Sequence, residues 1–102
     1  MYIKDFKQIS EETINKIAEK LEEYDQDCKL DIDLSGNILS INGDMGTYVI
    51  NTQTVAEEIW LSSPISGPYH FFYQHGEWIS KNNDKLFVIL ERELNMKLLN
   101  EK

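Results

Sequence analysis

The sequence predicts an α+β fold: a two-layer sandwich in which an antiparallel sheet of about six strands carries an N-terminal and a C-terminal helix on one face. Three observations lead there. Apolar residues recur at three- and four-residue steps near both ends of the chain. Between them the pattern switches to two-residue alternation broken by Gly/Asn/Ser/Pro punctuation. The length of 102 residues suits one domain, and a chain of this size buries roughly 65% of its unfolded surface. Strands grouped between terminal helices suit an antiparallel sheet covered on one side.

The first element is a long helix. Phe6, Ile9, Thr13, Ile17, Leu21 and Tyr24 form a stripe that Ile14 and Ala18 widen. Ser10-Glu11-Glu12 offers one N-terminus, with acids at the positive end of the dipole. A start at Lys4 keeps Phe6 and Ile9 in register and is preferred. After Asp25-Gln26-Asp27, Leu30, Ile32 and Leu34 alternate with Lys29, Asp31 and Asp33, a strand with one wet face. Ser35-Gly36-Asn37 turns the chain into Ile38–Ile41, and Asn42-Gly43-Asp44 turns it again toward a strand over Tyr48–Asn51. A polar connection leads to Ile59–Leu61, followed by a Ser/Pro/Gly loop. Tyr69–Tyr73 is an aromatic strand, His75-Gly76 a turn and Trp78-Ile79 a short strand. Leu86, Phe87, Leu90, Leu94 and Leu98 mark the last helix, capped by Asn83 or Asp84.

Apolar content of 41% is that of a globular core. A net charge of −8 and a pI near 4.6 argue against nucleic acid or an anionic membrane as partner and favour cations or a basic protein surface. No apolar run approaches the ~20 residues of a membrane span, and the first residues lack signal- or transit-peptide character. The expectation is a cytosolic protein or a trimmed mature form. The single cysteine, Cys28, fits a reducing compartment; lying among acids, it is a passive thiol.

Charge is concentrated in residues 19–33, where Glu19, Glu22, Glu23, Asp25, Asp27, Asp31 and Asp33 face only Lys20 and Lys29. The three glutamates share a helical face, and Asp31 and Asp33 share a strand face, so helix end and strand edge can meet as one acidic ridge. Such repulsion is either a solubilising surface or a feature that a cation relieves. Oxygen donors suit hard cations, and no His or Cys pair stands at ligand spacing. Asp31-x-Asp33-x-Ser35-Gly36 imitates the start of an EF-hand loop, but Asn42 occupies the place of the bidentate Glu and the alternation marks a strand.

In the strand Ile59-Trp60-Leu61, alternation puts Trp60 opposite its neighbours. Periodicity leaves open which side is core. If Ile59 and Leu61 are buried, Trp60 faces solvent beside Asn51, Gln53 or Ser62, a plausible protein-docking anchor. No Ser/His/Asp set, P-loop or GxGxxG is present, and His70 and His75 are too isolated for a catalytic dyad.

The run Gly46-Thr47-Tyr48-Val49-Ile50-Asn51-x-Gln53-Thr54, then Ile59-Trp60-Leu61-Ser62-Ser63-Pro64-x-Ser66-Gly67-Pro68, resembles the sheet region of the frataxin family, called CyaY in bacteria. About twenty positions match in fixed order. The resemblance implies a frataxin-type sandwich and an iron-binding modulator of iron–sulfur cluster assembly. Its metal surface is the ridge of Glu19, Glu22, Glu23, Asp25, Asp27, Asp31 and Asp33, binding ferrous or ferric iron in a weak, exchangeable way. Its partners are the cysteine desulfurase and the iron–sulfur scaffold protein, docked through Asn51, Gln53, Trp60, Ser62, Pro68 and His70. His70 departs from the basic residue frequent at that position. The expected state is a monomer, with iron-dependent oligomers as a further possibility. The location is bacterial cytoplasm, or mitochondrial matrix for a trimmed eukaryotic form. Ferroxidase or iron-storage activity is the enzymatic alternative, although no paired Glu-x-x-His helices are present. A metal-independent acidic adaptor of the desulfurase is the other. In this family a tail after the second helix often packs between the helices; few residues follow Leu99 here.

Overall fold

A computed structural model describes residues 5–25 and 29–96. The order of elements is α1 (Phe6–Tyr24), β1 (Asp31–Ser35), β2 (Ile38–Gly43), β3 (Gly46–Gln53), β4 (Glu58–Ser63), β5 (Gly67–Gln74), β6 (Glu77–Ile79) and α2 (Leu86–Leu94). The six strands form one antiparallel meander, β1-β2-β3-β4-β5-β6, each paired with its neighbour in sequence. The predicted α+β sandwich is therefore the observed one.

Register follows from the turns. Ser35 pairs with Ile38 across Gly36-Asn37, with Gly36 at φ 61°. His75 and Gly76 (φ 54° and 79°) both take the left-handed geometry that matches strand twist in a two-residue hairpin. The expected Asn42-Gly43-Asp44 turn moves by a residue: β2 runs on to Gly43, which pairs with Gly46 across Asp44-Met45. Gly46 has φ 125°, and a Cβ there would stand 2.7 Å from the Pro64 side chain, so backbone geometry and space both require glycine.

With register set, alternation sorts the side chains onto two faces. Leu39, Ile41, Tyr48, Ile50, Ile59, Leu61, Phe71 and Trp78 are buried beneath the helices with Phe6, Ile14, Ile17, Ala18, Leu21, Leu86, Ile89 and Leu90. Among the described residues no element covers the other face. On it the register aligns Ile38, Asn51, Trp60 and His70 in one row across β2 to β5.

Helix α1 agrees with expectation and α2 departs from it. Helix α1 takes the longer version: Ser10 is inside it, buried, and donates to the Lys7 carbonyl. Lys4, the expected start, lies outside the described residues. Neither Asn83 nor Asp84 caps α2. Its N-cap is Lys85, with no side-chain cap, while Asp84 closes a turn in which Ser80 Oγ donates to Asp84 Oδ2 and accepts from the Asp84 N–H. Asn95, at φ 57°, ends α2 in a left-handed C-cap before the expected Leu98. Leu98, Leu99 and the tail after them lie outside the described residues. Among the described residues no helix is long and apolar enough to cross a membrane.

Candidate functional site: an acidic edge and an open sheet face

Two surfaces carry the candidate residues. Strand β1 is the edge of the sheet and α1 packs against it. Glu19, Glu22 and Glu23 are exposed on the C-terminal half of α1, and Asp31 and Asp33 are exposed on β1. The glutamates belong to the helix layer and the aspartates to the open face of the strand against which that helix packs. Local forces oppose this arrangement. Glu22 and Glu23 occupy the last turn of α1, where the macrodipole is negative, and no basic side chain is there to compensate.

Asp25 has a different position from the other carboxylates. It is half-buried, and its two oxygens accept the backbone N–H groups of Lys29 (2.8 Å) and Leu30 (2.9 Å). It holds the connection from α1 into β1 before it can serve any cation. Asp27, like Cys28, lies outside the described residues. Among the described residues no three His, Cys, Asp or Glu side chains converge as a metal cage. The exposed carboxylates are oxygen donors, the ligand type that hard cations take.

The open face resolves the ambiguity at β4. Ile59 and Leu61 are fully buried, and Trp60 is half-buried on the opposite side. Asn51 is its cross-strand neighbour on β3 and His70 its neighbour on β5. The Trp60 and His70 rings stack, with centroids 4.1 Å apart and planes 7° from parallel. Trp60 Nε1 donates to Glu58 Oε1 at 2.8 Å, and His70 Nδ1 lies 3.9 Å from the same oxygen. Glu58 is a member of this cluster that sequence reasoning missed; only the rule that residues two apart on a strand share a face pointed to it. Gln53 is half-buried opposite Glu58, and exposed Ser62 pairs in register with exposed Pro68. All six expected docking residues lie on β3, β4 and β5 of this face.

The loop between β4 and β5 is fastened from behind by Glu93 of α2. Its Oε1 accepts from Tyr48 Oη (3.0 Å) and Ser63 Oγ (2.7 Å), and its Oε2 from Ser66 Oγ (2.5 Å). Ser63 Oγ in turn accepts the N–H groups of Ile65 and Ser66. Burial alone raises the Glu93 pKa, but hydrogen bonds from Ser66, Ser63 and Tyr48, with the Arg92 charge, outweigh it and hold the group below the usual carboxylate value. Burial and the Glu93 anion push Tyr48 up to about 12. A separate groove of about 520 Å³ between α1 and α2, floored by Trp78 and Leu86, lies on the helix side.

Fold and surfaces together define a small acidic α+β domain with a helix-covered sheet, exposed carboxylates on its edge strand and a tryptophan-centred open face. Comparison with known proteins narrows the class. The sequence matches the Frataxin-like domain family over residues 1–100. It is 38% identical over 97 residues to the mitochondrial frataxin of Arabidopsis thaliana, covering 88% of this chain and 52% of that protein. It is 44% identical over 78 residues to the mitochondrial frataxin homolog of Saccharomyces cerevisiae, covering 74% and 45%. The chain thus spans about half the length of the curated relatives it matches. Among solved structures, a trimeric yeast frataxin complexed with ferrous iron superposes with a TM-score of 0.78 at 37% identity, covering 84% of this chain and 81% of that one. A frataxin from Psychromonas ingrahamii gives 0.83 at 23% identity over 98% and 100%, a likeness of fold alone. The chain belongs to the frataxin family.

Proposed function

We propose that this protein is an iron-binding modulator of iron–sulfur cluster assembly, taking iron on the β1 edge and docking on the cysteine desulfurase and its scaffold protein through the open face. The observation that carries the reading is the exposure of Glu19, Glu22 and Glu23 on the helix that packs against edge strand β1, and of Asp31 and Asp33 on that strand, in a sheet whose open face presents Trp60. Exposed carboxylates without a closed cage favour weak, exchangeable binding, the property wanted in a protein that hands iron on. The yeast relative solved with ferrous iron supports the choice of metal. The acidic edge would also accelerate encounter with a basic desulfurase surface. The unloaded chain is proposed to be a monomer that assembles further with iron. Its place is the mitochondrial matrix, as the names of the relatives favour, or the bacterial cytoplasm.

The test is an anaerobic ferrous titration followed by amide NMR. Shifts or broadening confined to residues 19–33, competed by calcium or manganese, are expected. An unmoved ridge would remove iron from the reading and leave a metal-independent adaptor, recognised by desulfurase binding that chelator does not change. Oxygen consumption saturating at a fixed iron stoichiometry would instead favour a ferroxidase.

A further inference from the structure

The Glu58–Trp60–His70 cluster contains a titratable ring in the middle of a docking face. His70 is 53% exposed and stands flat against Trp60, within 3.9 Å of the carboxylate that already holds the indole N–H. With His70 neutral, the cluster carries the uncompensated charge of Glu58. A partner that covers Trp60 must then strip water from that anion, which is costly while it is unpaired. With His70 protonated the cluster is neutral. The imidazolium pairs with Glu58, and its position over the indole face is the one a ring quadrupole favours for a cation. Trp60 is then held by a charged stack on one side and a carboxylate at its N–H, so less side-chain freedom remains to be lost on binding.

The surrounding charges leave His70 in control of this change. Neighbouring positions on β3 are the amides Asn51 and Gln53, and those on β5 are Pro68 and Phe72. Glu57 is exposed in the turn before β4, Lys81 is exposed in the turn after β6, and Glu77 on β6 is engaged by Lys85 at 3.2 Å. Histidine is the side chain whose charge ordinarily changes between pH 5 and 8.

We propose that docking through the open face is proton-linked: protonation of His70 neutralises Glu58, orders Trp60, and tightens binding of the protein partner at lower pH. The proposal rests on the docking reading above and specifies its regulation. The partner surface it fits has an apolar patch opposite Trp60, distinct from the basic patch that would meet the β1 edge.

Two measurements test it. In the free chain, NMR follows the His70 ring and the Trp60 Nε1–H between pH 5.5 and 8. Both should titrate together, and the indole response should vanish in His70→Gln; an indole signal indifferent to pH, or unchanged by the substitution, overturns the switch. Calorimetry with the purified desulfurase–scaffold complex then compares pH 6 with pH 8. The wild type should bind about two- to fivefold more tightly at pH 6, the scale of one exposed ion pair. His70→Gln should lose that difference, and Glu58→Gln, which keeps an acceptor for the indole, should bind at pH 8 about as well as wild type at pH 6. Equal pH slopes in wild type and His70→Gln, or weaker binding by Glu58→Gln, refute the linkage while docking itself stands. Absence of binding by the folded chain at every pH refutes the docking reading and the linkage with it.

Discussion

Glu93 shows how one residue ties stability to pH in this protein. Its carboxylate, 5% exposed, accepts hydrogen bonds from Tyr48, Ser63 and Ser66 and joins α2 to β3 and to the loop beneath the open face. Because its folded pKa is depressed, its contribution to stability is present above the ordinary carboxylate value of 4.5 and disappears as pH falls through the folded value. Tyr48 has the opposite sign: its contribution is intact below 10 and is lost as pH rises through about 12. Glu93→Gln should cost about 1–3 kcal/mol at neutral pH and flatten the acid limb, as read by urea unfolding from pH 3 to 8. An unaltered acid limb would assign acid sensitivity elsewhere. Trp60 and Leu61 offer a second contrast at this scale. Leu61→Ala, in the core, should cost about 2–5 kcal/mol; Trp60→Ala should cost less than about 1 kcal/mol, the range of a surface substitution, yet abolish partner binding. Thermal melts alongside calorimetry check both, and unfolding of the Trp60 variant would make it structural.

At the scale of elements, α1 is a helix whose inner stripe is optimised and whose end is not. Ile14, Ile17 and Leu21 are buried, while Glu22 and Glu23 add negative charge at the negative pole. Replacing Glu19, Glu22 and Glu23 by Lys should therefore raise stability by about 0.3–1 kcal/mol per favourable change near the terminus and weaken both iron and desulfurase binding. Melting temperature and ferrous titration of the same variant decide this: a fall in melting temperature would show the glutamates to be structural. Asp25 lies beyond the same helix end but belongs with the scaffold, since both its oxygens hold the entry to β1.

For the molecule as a whole, the meander places the β1 edge and the Trp60 row on adjoining parts of one surface, in a chain of net charge −8. Long-range attraction should then act on encounter more than on the lifetime of a complex. The association rate with the desulfurase is expected to fall about tenfold or more between 50 and 500 mM salt, because the Debye length shrinks over that range, while the dissociation rate changes little. Surface plasmon resonance across that series checks it; a salt effect confined to dissociation would move the acidic edge inside the interface.

Much of this was legible in the chain before its folding. Period-3.6 and period-2 patterns located both helices and all six strands, because burial of one face imposes those spacings on any amphipathic element. The candidate carboxylates and Trp60 were visible for the same reason. Other features depended on contacts between elements distant in sequence. Periodicity was symmetric about Trp60 until pairing with β3 and β5 put Ile59 and Leu61 under the helices. Nothing in the sequence singles out Glu58 or Glu93; the first is defined by Trp60 and His70 beside it, the second by the bonds its carboxylate makes to β3 and the β4–β5 loop. Alternation is a local property of strand geometry and can be read along one chain. The charge state and partners of a side chain are set by what tertiary packing brings within hydrogen-bond distance, so these were decided only by the fold.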